Sequence, residues 1–435
     1  MEPVTDLKMS LRKNLKSAIN ERIRIWRAIF ARWRSGATFI AVTGSSGKST
    51  TTALISHILC GVAAVRTNSN SNKYRGIIKS LQTSSANSYY VGEIGTEGPG
   101  TLRPMLDLLR PSVGIVTLVA LEHKSAFQNC EAVAEEKQEL VEALPADGLA
   151  ILNHDDARVA AMAERSKART VTFGQTGGEY VVSNVRCPAP GELGLTITYQ
   201  DQKFDITSHL TGVHQSVAVA AAFSCTHQLG IPPAVIVERI ATFAPLFGRC
   251  SVYRVKNGPV FIVDTVKAPY HSLQLAFNMV ADFSAPRKRI VIGQISDAAG
   301  ADRVYRRAYQ AARSVADQVI FVGEHSHRSK ATAEEIAIQH FVEKRTVEEA
   351  ARFLKETAIP GEVIVLKSSR QLHLERIMLN FDNEVRCWQQ TCGKDSDCYF
   401  CGLYAIPFEQ HKRHKNLAAK RHLRLTEQGD RTNVS

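Results

Sequence analysis

The spacing of apolar residues changes from a helical to a strand pattern near residue 37 of this chain. From Leu7 to Trp33, apolar side chains recur every three or four positions with Lys and Arg between them, which predicts an amphipathic helix that ends at Ser35-Gly36. Short apolar runs then alternate with helical stretches, which predicts a mostly parallel sheet covered by helices. The runs of this first part are Phe39–Val42, Tyr89–Ile94, Val113–Leu118 and Leu149–Leu152, with a helix at Glu131–Leu144.

Two further patterns divide the rest of the chain. Residues 170–210 alternate apolar and polar positions in four short runs, which predicts a small antiparallel sheet before an Ala-rich helix at Ser216–Leu229. Strand and helix patterns alternate again from Val260 to Leu366, but without a glycine-rich loop. We therefore predict a basic N-terminal helix at residues 1–36, a central α/β domain at 37–246, a smaller α/β domain at 247–382 and an extension at 383–435.

The positive charge of the chain is concentrated at its two ends. The net charge of the 435 residues is +12, yet residues 8–34 hold nine Lys and Arg against one acidic residue, and residues 411–431 hold seven against two. A nearly neutral body argues against a long nucleic-acid groove. The basic ends are instead expected to contact an acidic surface such as a membrane, nucleic acid or protein, or to aid solubility.

The N-terminal helix has two interpretations. Packing against the domain or a partner protein is favoured, and attachment to a membrane surface is the alternative. The sequence has no apolar run of about 18 residues and no secretory leader, so we expect a cytoplasmic protein.

A glycine-rich segment follows the first predicted strand and opens a helix. In Gly44-Ser45-Ser46-Gly47-Lys48-Ser49-Thr50 the glycines allow backbone N–H groups to turn toward an anion, and the helix presents its N-terminus to the same anion. Lys48 would contact the outer phosphates of a nucleotide and Ser49 would ligate Mg²⁺. The spacing is shorter than in the common phosphate-binding loop, and a chance glycine turn is the alternative.

Further segments follow this loop in a fixed order and resemble the Mur ligase family of ATP-dependent amide-forming ligases. They are Val91-Gly-Glu93-Ile-Gly-Thr96, Leu121-Glu-His123-Lys124, Ala134-Glu-Glu-Lys137, the Asn-x-Asp-Asp of residues 153–156, Gly212-Val-His-Gln215, Phe247-Gly-Arg249, Val263-Asp264-Thr-Val-Lys267 and Val365-Leu-Lys-Ser-Ser-Arg370. The resemblance covers residues 37–382. It implies a central domain with a phosphate loop, a mostly parallel sheet and a small antiparallel sheet, followed by a smaller Rossmann-like α/β domain.

The resemblance also implies a reaction and the residues that perform it. ATP would phosphorylate a carboxylate, and an amine of an amino acid or peptide would displace phosphate from the resulting acyl phosphate, leaving ADP and phosphate. Lys48, Lys137, His123 and Lys267 would be catalytic, with Lys137 in carbamylated form. Ser49, Glu93 and His123 would hold Mg²⁺. ATP would contact Gly44 to Thr50, Gln215, Arg249 and Asp264.

The chain departs from the family pattern at several positions. Glu122 stands in place of the usual Asp and Gln215 in place of the usual Asn, and the Gly293–Asp297 loop matches no one substrate class. Only about 36 residues precede the central domain, so a UDP-sugar held by a dedicated domain is not expected. The alternatives are a nucleotide-binding regulatory or scaffold protein that uses its basic ends to bind membrane or nucleic acid, and a kinase with a phosphate loop.

Four of the nine cysteines are clustered in the C-terminal extension, at Cys387, Cys392, Cys398 and Cys401. In a reducing compartment such a cluster is more typical of a structural Zn²⁺ site than of disulfides. A redox role and the absence of any shared ligand are the alternatives. The other five cysteines are expected to be buried apolar residues.

Overall fold

The computed structural model describes residues 3–68, 72–82, 89–123, 125–296, 302–394 and 396–414, with the backbone alone at residues 3–18 and 326. Lys124, the end of the Gly293–Asp297 loop and the basic tail from residue 415 lie outside these residues. No helix in the described part of the chain is long and apolar enough to cross a bilayer.

The elements up to residue 241 form a helix followed by strands and helices in alternation. In chain order they are α1 (Pro3–Arg34), β1 (Thr38–Thr43), α2 (Lys48–Cys60), β2 (Val65–Thr67), α3 (Tyr74–Gln82), β3 (Tyr89–Glu93), α4 (Arg103–Leu109), β4 (Val113–Val116), α5 (Cys130–Glu142), β5 (Leu149–Asn153), α6 (Ala157–Ala161), β6 (Arg169–Gly174), β7 (Tyr180–Arg186), β8 (Leu193–Tyr199), β9 (Gln202–Ser208), α7 (Ser216–Gln228) and α8 (Pro233–Ala241).

The strands β1 to β9 form one sheet in the order β2-β3-β1-β4-β5-β6-β7-β8-β9. The pairs from β2 to β6 in this order are parallel. The placement of residues 170–173 in a separate antiparallel sheet was wrong, because β6 pairs in parallel with β5. The alternation of side chains reports the two faces of a strand and not its neighbours, so the sequence pattern could not decide this pairing.

The remaining elements alternate in the same way. They are β10 (Ser251–Arg254), β11 (Val260–Asp264), α9 (Tyr270–Ala281), β12 (Lys288–Ile292), α10 (Asp302–Arg313), β13 (Gln318–Val322), α11 (Ala333–Ala337), β14 (Phe341–Lys344), α12 (Val347–Thr357), β15 (Val363–Lys367), α13 (Glu375–Asp382) and α14 (Cys398–Cys401). Their sheet has the order β10-β11-β15-β12-β13-β14, and within it β10 is antiparallel to β11 while the other pairs are parallel.

The chain folds into two compact units. The first contains the chain up to Val182 together with Ile197–Lys203 and Val217–Arg239, and the second contains Ser183–Thr196, Phe204–Ser216 and the chain from Ile240. In the first unit the inner strands are buried beyond their first residues and pack against α3, α4 and α5. In the second unit the core extends beyond α13 into the C-terminal extension and includes Val385, Cys398 and Tyr404.

The N-terminal helix α1 packs on the first unit along one face, as predicted. Ala28 is fully buried, and the Arg32 guanidinium donates to the carbonyl oxygens of Leu109 at 2.8 Å and Arg110 at 2.9 Å. Trp26 and Trp33 lie on solvent with exposed fractions of 72% and 77%. Contact of this aromatic face with a membrane or a partner stays a prediction.

The order of the first sheet fixes where a ligand is expected. β1 lies between β3 and β4. The strands β2 and β3 lie on one side of β1, and the strands from β4 onward lie on the other, so the strand order reverses direction at β1. Such a switch point opens a crevice at the carboxyl ends of parallel strands, where α/β proteins bind their ligands. The glycine-rich loop follows β1 at this crevice.

Candidate functional site

The loop between β1 and α2 is held against the end of β4. A Cβ atom at Gly44 would lie 1.9 Å from Thr117 Oγ1, and the φ of Gly44 is 141°. Thr117 Oγ1 in turn donates to the Ser46 carbonyl oxygen at 2.6 Å. Only glycine therefore allows the loop to approach the strand this closely.

The N-terminus of α2 is suited to bind an anion. Gly47 precedes the helix with a φ of 81°, and no side chain caps the first turn. The first N–H groups of a helix have no partner within the helix, and together with the helix dipole they favour a phosphate. The residues present thus fit the phosphates of ATP.

Two side chains of this loop make buried polar contacts, one within the loop and one to the segment that follows β4. Lys48 is only 8% exposed, and its ammonium donates to the Gly44 carbonyl oxygen. The Ser45 hydroxyl lies 2.9 Å from the Ala120 carbonyl oxygen and 3.1 Å from Glu122 Oε1. The loop and Glu122 therefore share one buried polar cluster.

Glu122 and Lys137 form a buried ion pair beside the phosphate loop. Lys137 Nζ lies 2.6 Å from Glu122 Oε1, and both side chains are shielded from solvent. Burial would raise the pKa of Glu122, but the ammonium groups of Lys48 and Lys137 lower it to about 2. Burial lowers the pKa of Lys137 to about 8 despite the opposing effect of Glu122.

The neighbour of Lys137 on α5, Glu136, holds the loop before α4. Its carboxylate accepts hydrogen bonds from the backbone N–H of Gly100 at 2.6 Å and of Leu102 at 2.7 Å. The Thr96 hydroxyl, three residues after the end of β3, lies 3.3 Å from the same carboxylate. The sequence did not indicate this role, because the carboxylate and the two backbone N–H groups lie 36 and 34 residues apart in the chain.

The carboxylate predicted to bind Mg²⁺ is Glu93, the last residue of β3. It pairs in register with Val42 of β1, so it lies at the same edge of the sheet as the loop. The Glu93 N–H donates to Asn68 Oδ1 at 2.8 Å, and Asn68 Nδ2 donates to the Glu93 carbonyl oxygen at 2.9 Å. Asn72 Nδ2 donates to Glu93 Oε1 at 3.2 Å. The sequence pattern did not predict a role for either asparagine.

The donor atoms at this edge fit a hard cation in part. The Glu93 carboxylate and the Ser49 hydroxyl offer oxygen, which Mg²⁺ prefers. His123 offers nitrogen, which suits softer metals better, and its φ of 48° places it in the left-handed region. The roles of all three in metal binding stay predictions.

In the second unit, the pairing of β11 with β15 brings Lys367 against the predicted residue Asp264. Lys367 Nζ lies 2.6 Å from Asp264 Oδ2 and 2.9 Å from the Lys267 carbonyl oxygen. Asp264 and Lys367 are neighbours in register and both are buried, whereas Lys267 is exposed. The ion partner of Asp264 was not expected from the sequence.

The predicted nucleotide contacts of the second unit lie on other segments. Gln215 is buried in the short 3₁₀ turn Val213–Gln215, and Arg249 is half-buried before β10. Burial lowers the pKa of the neighbouring His214 to about 4, although Asp264 opposes this shift. The roles of Gln215 and Arg249 stay predictions.

The four clustered cysteines lie around one small cavity of the second unit. All nine cysteines of the chain are free thiols in the structure. Among the described residues, one set of three ligand atoms lies within 4.8 Å of each other, and it belongs to His373, Glu375 and Cys398. The sequence pattern had not included His373 or Glu375.

Two family models match this chain. Residues 42–226 match the Mur ligase middle domain, and residues 248–370 match the Mur ligase glutamate ligase domain. A UDP-N-acetylmuramoyl-tripeptide--D-alanyl-D-alanine ligase from Synechocystis sp. is 26% identical over 293 residues, which make up 64% of this chain and 60% of that protein. The aligned region of the chain therefore spans three fifths of this relative.

Solved structures show the same fold. MurF from Acinetobacter baumannii superimposes with a TM-score of 0.74 at 22% sequence identity. The aligned region covers 83% of this chain and 80% of the MurF chain. MurF ligase from Thermotoga maritima, solved in complex with ADP, has a TM-score of 0.72 at 21% identity and covers 83% of both chains. The two domain models match in the same order along the sequence and together cover more than half of it, so the chain belongs to the Mur ligase family.

Proposed function

We propose that this protein is an ATP-dependent ligase that joins a carboxylate to an amine through an acyl phosphate. The observation that carries the proposal is the convergence of the phosphate loop, Glu93 and the buried Glu122–Lys137 pair at the carboxyl ends of β1, β3 and β4. This edge combines an anion site at a helix N-terminus with buried carboxylates and ammonium groups. Membership of the Mur ligase family supports the same conclusion.

The reaction has two steps that balance without a further reactant. In the first, a carboxylate oxygen attacks the γ-phosphorus of ATP, and the bond to the bridging oxygen breaks to release ADP. In the second, the amine nitrogen attacks the acyl carbon, phosphate leaves with the bonding electron pair, and the amine loses a proton. Both steps bring anions together, so concentrated positive charge lowers their barriers.

The residues of the first unit have distinct proposed roles. The backbone of Gly44 to Thr50 binds the phosphates, and Lys48 exchanges its contact with the Gly44 carbonyl oxygen for a phosphate oxygen. Ser49 and Glu93 would hold Mg²⁺, with His123 beside them, and the ion would neutralise charge on the transferred phosphoryl group. In the second unit, Lys267, Arg249, Gln215 and Asp264 keep their predicted roles toward ATP and the reacting groups.

The form of Lys137 is a separate proposal. Its pKa of about 8 makes the neutral amine accessible, and carbamylation requires this form. A carbamate, however, would place a second anion against Glu122, which now lies 2.6 Å from the ammonium. We therefore propose that the ammonium paired with Glu122 is the resting form and that the carbamate forms only when a cation offsets the added charge.

The two forms of Lys137 are distinguishable by NMR in isotopically labelled bicarbonate. A carbamate signal is expected in the presence of Mg²⁺ and ATP and not in their absence. Glu122→Gln is expected to show the signal without Mg²⁺, and Lys137→Met serves as the assignment control. A wild-type signal of equal size with and without Mg²⁺ would refute the proposed dependence.

The amine is proposed to be an amino acid or a small peptide. The Synechocystis relative is named as a ligase of D-alanyl-D-alanine, so this dipeptide belongs in the first panel of amines. The aligned region spans only 60% of the Synechocystis relative. We therefore do not assign the acid substrate of that relative to this chain.

The test is release of ADP that requires both an acid and an amine, scored together with mass spectrometry of the product. Hydroxylamine added in place of the amine should trap the acyl phosphate as a hydroxamate. Lys48→Ala should lower both signals by about 100-fold to 1000-fold, whereas Lys203→Ala, which changes an exposed lysine of β9, should leave them intact. Unchanged turnover in Lys48→Ala contradicts the mechanism.

One observation favours a regulatory or scaffold protein as the second candidate. The Glu122 carboxylate pairs with the Lys137 ammonium, which opposes carbamylation, and it partly neutralises Lys48, whose positive charge the reaction needs. A protein of this kind would bind ATP through the same loop but release no ADP with any acid and amine. Glu122→Gln separates the candidates further, because restored turnover in this variant would assign an inhibitory role to Glu122.

A further inference from the structure

The C-terminal extension encloses a cavity with an unusual set of side chains. The space free to a water-sized sphere is 10 Å³, which is room for about one atom. The sulfur, nitrogen and cationic groups around it are Cys387, Cys392, Cys398, Cys401, His373, His411, Arg376 and Lys394. A dry apolar cavity would not collect these groups.

Two cations point at two of the sulfur atoms. Arg376 Nε lies 3.0 Å from Cys398 Sγ, and the side chain of Arg376 is only 1% exposed. Lys394 Nζ lies 3.0 Å from Cys401 Sγ. Hydrogen bonds from cations stabilise thiolates, which are the form of cysteine that binds metal.

His373 is oriented as metal-binding histidines are. Its Nδ1 lies 3.2 Å from Glu375 Oε1, and its Nε2 lies 3.2 Å from Cys392 Sγ. A histidine that donates from one ring nitrogen to a carboxylate presents the other nitrogen to a metal. Neighbouring sulfur and nitrogen ligands of a tetrahedral zinc ion are roughly 3.5 Å apart, close to the distance between Nε2 and Sγ.

A buried oxygen at this cluster has no hydrogen-bond partner. Glu375 is fully buried and its Oε1 accepts from Cys398 N at 2.8 Å, but its Oε2 has no partner among the described residues. An unpartnered buried carboxylate oxygen costs stability unless nearby positive charge compensates it. A divalent cation beside His373 would supply that charge.

We propose that one Zn²⁺ ion binds His373 and Cys398, which belong to the set of ligand atoms within 4.8 Å of each other, and draws in two further thiolates. These are Cys392, whose sulfur lies 3.2 Å from His373 Nε2, and Cys401, which lines the same cavity. Zn²⁺ with three thiolates has one net negative charge, and the Arg376 and Lys394 side chains that contact two of these sulfur atoms offset it. Cys398 and Cys401 have the two-residue spacing of zinc sites. The Cys387 thiol makes no hydrogen bond within the described part of the chain, and we leave it out of the ligand set.

The ion joins the extension to the second unit. His373 precedes α13, whereas the three cysteines lie beyond it, so the ligands come from both sides of this helix. Val385 and Tyr404 already pack with α13 residues in the core of the unit. The site is therefore structural, and its loss should release the extension without altering the phosphate loop of the first unit.

The test is the zinc content of the full chain purified without chelators, measured by mass spectrometry of the metal, with X-ray absorption at the zinc edge. One zinc ion per chain bound to three sulfur atoms and one nitrogen atom is the expected result. Both measurements use the unaltered protein, so they do not depend on whether any variant folds. Zinc that is lost on desalting, or a ratio far below one, overturns the site.

Variants then assign the ligands. Cys401→Ser and His373→Asn should lose zinc, and Asn tolerates the left-handed conformation of His373, whose φ is 55°. Cys387→Ser is the matched control, since it removes a thiol of the same cavity and should retain zinc. Retention in His373→Asn together with loss in Cys387→Ser, or four sulfur atoms in the absorption data, overturns this ligand set in favour of four cysteines.

Discussion

Replacement of Glu122 by Gln removes one charge of the buried pair and leaves the Lys137 ammonium without its carboxylate. Replacement of Lys137 by Met removes the other charge, while Lys48 remains to compensate Glu122 in part. The double variant removes both charges. If the pair is a real interaction in the folded protein, the two single changes must not be additive.

The size of the coupling follows from the structure. The distance of 2.6 Å between Lys137 Nζ and Glu122 Oε1 gives an attraction of about 6 kcal/mol at an effective dielectric constant of about 20. The lowering of the Glu122 pKa from 4.5 to about 2 corresponds to about 3 kcal/mol after the burial cost is included, and Lys48 supplies part of this energy together with Lys137. Removal of one partner from a buried pair typically costs about 3–5 kcal/mol, so we expect a coupling of about 3 kcal/mol.

Hydrogen exchange at the backbone amides of α5 measures this coupling within the first unit. A single global unfolding curve is less suitable because the chain has two compact units, which need not unfold together. The exposed Arg103–Glu139 pair, which joins α4 to α5, gives a matched control. Glu139→Gln should lower the opening free energy of the α5 amides by less than about 1 kcal/mol. A Glu122–Lys137 coupling below about 0.5 kcal/mol would refute the reasoning.

Three further changes test other features. Gly44→Ala should lower the melting temperature and weaken ATP binding, because the added methyl group meets Thr117 Oγ1. Gly100 also has a positive φ, of 74°, but no atom within 4 Å of an added Cβ, so Gly100→Ala is the control for backbone strain alone and should lower the melting temperature less. In the ligase assay, Lys48→Ala should lower kcat/KM by about 100-fold to 1000-fold, the loss typical of one electrostatic group in the transition state. The depressed pKa of Glu122 stabilises the fold above pH 4.5, and this contribution is lost as the pH falls toward 2. The fall in stability over this range should therefore be smaller in Glu122→Gln than in the wild type, as measured by acid unfolding.

Much of the fold was predictable because it depends on local patterns. Apolar runs marked β1, β3, β4 and β5 to within a few residues, and the three-to-four spacing marked α1 and α5. The pairing of β6 with β5 was not predictable, because it depends on contacts between segments far apart in the sequence. The short strand β2 has too few residues to show a pattern.

The residues of the candidate site also differ in whether a local sequence pattern could predict them. The phosphate loop and Glu93 could be found because glycines, a lysine and a carboxylate that directly follow or end apolar strands form a local pattern within the sequence. The partners of these residues could not, since the contact between Lys137 and Glu122 joins a helix to a loop 15 residues away in the chain. His373 was missed for the same reason, because it lies 19 residues before Cys392 and only the folded chain brings them together.

The adjacent positions Glu136 and Lys137 have a consequence for large-scale mutagenesis of this chain. Both are buried on α5, but Glu136 holds the backbone of residues 100 and 102 while Lys137 faces Glu122. A screen scored only on enzymatic output would give the two positions the same intolerance and would place both in the catalytic machinery. A parallel screen scored on the cellular abundance of folded protein, with Glu122 and Lys137 varied together, would distinguish the loop anchor from the charged pair.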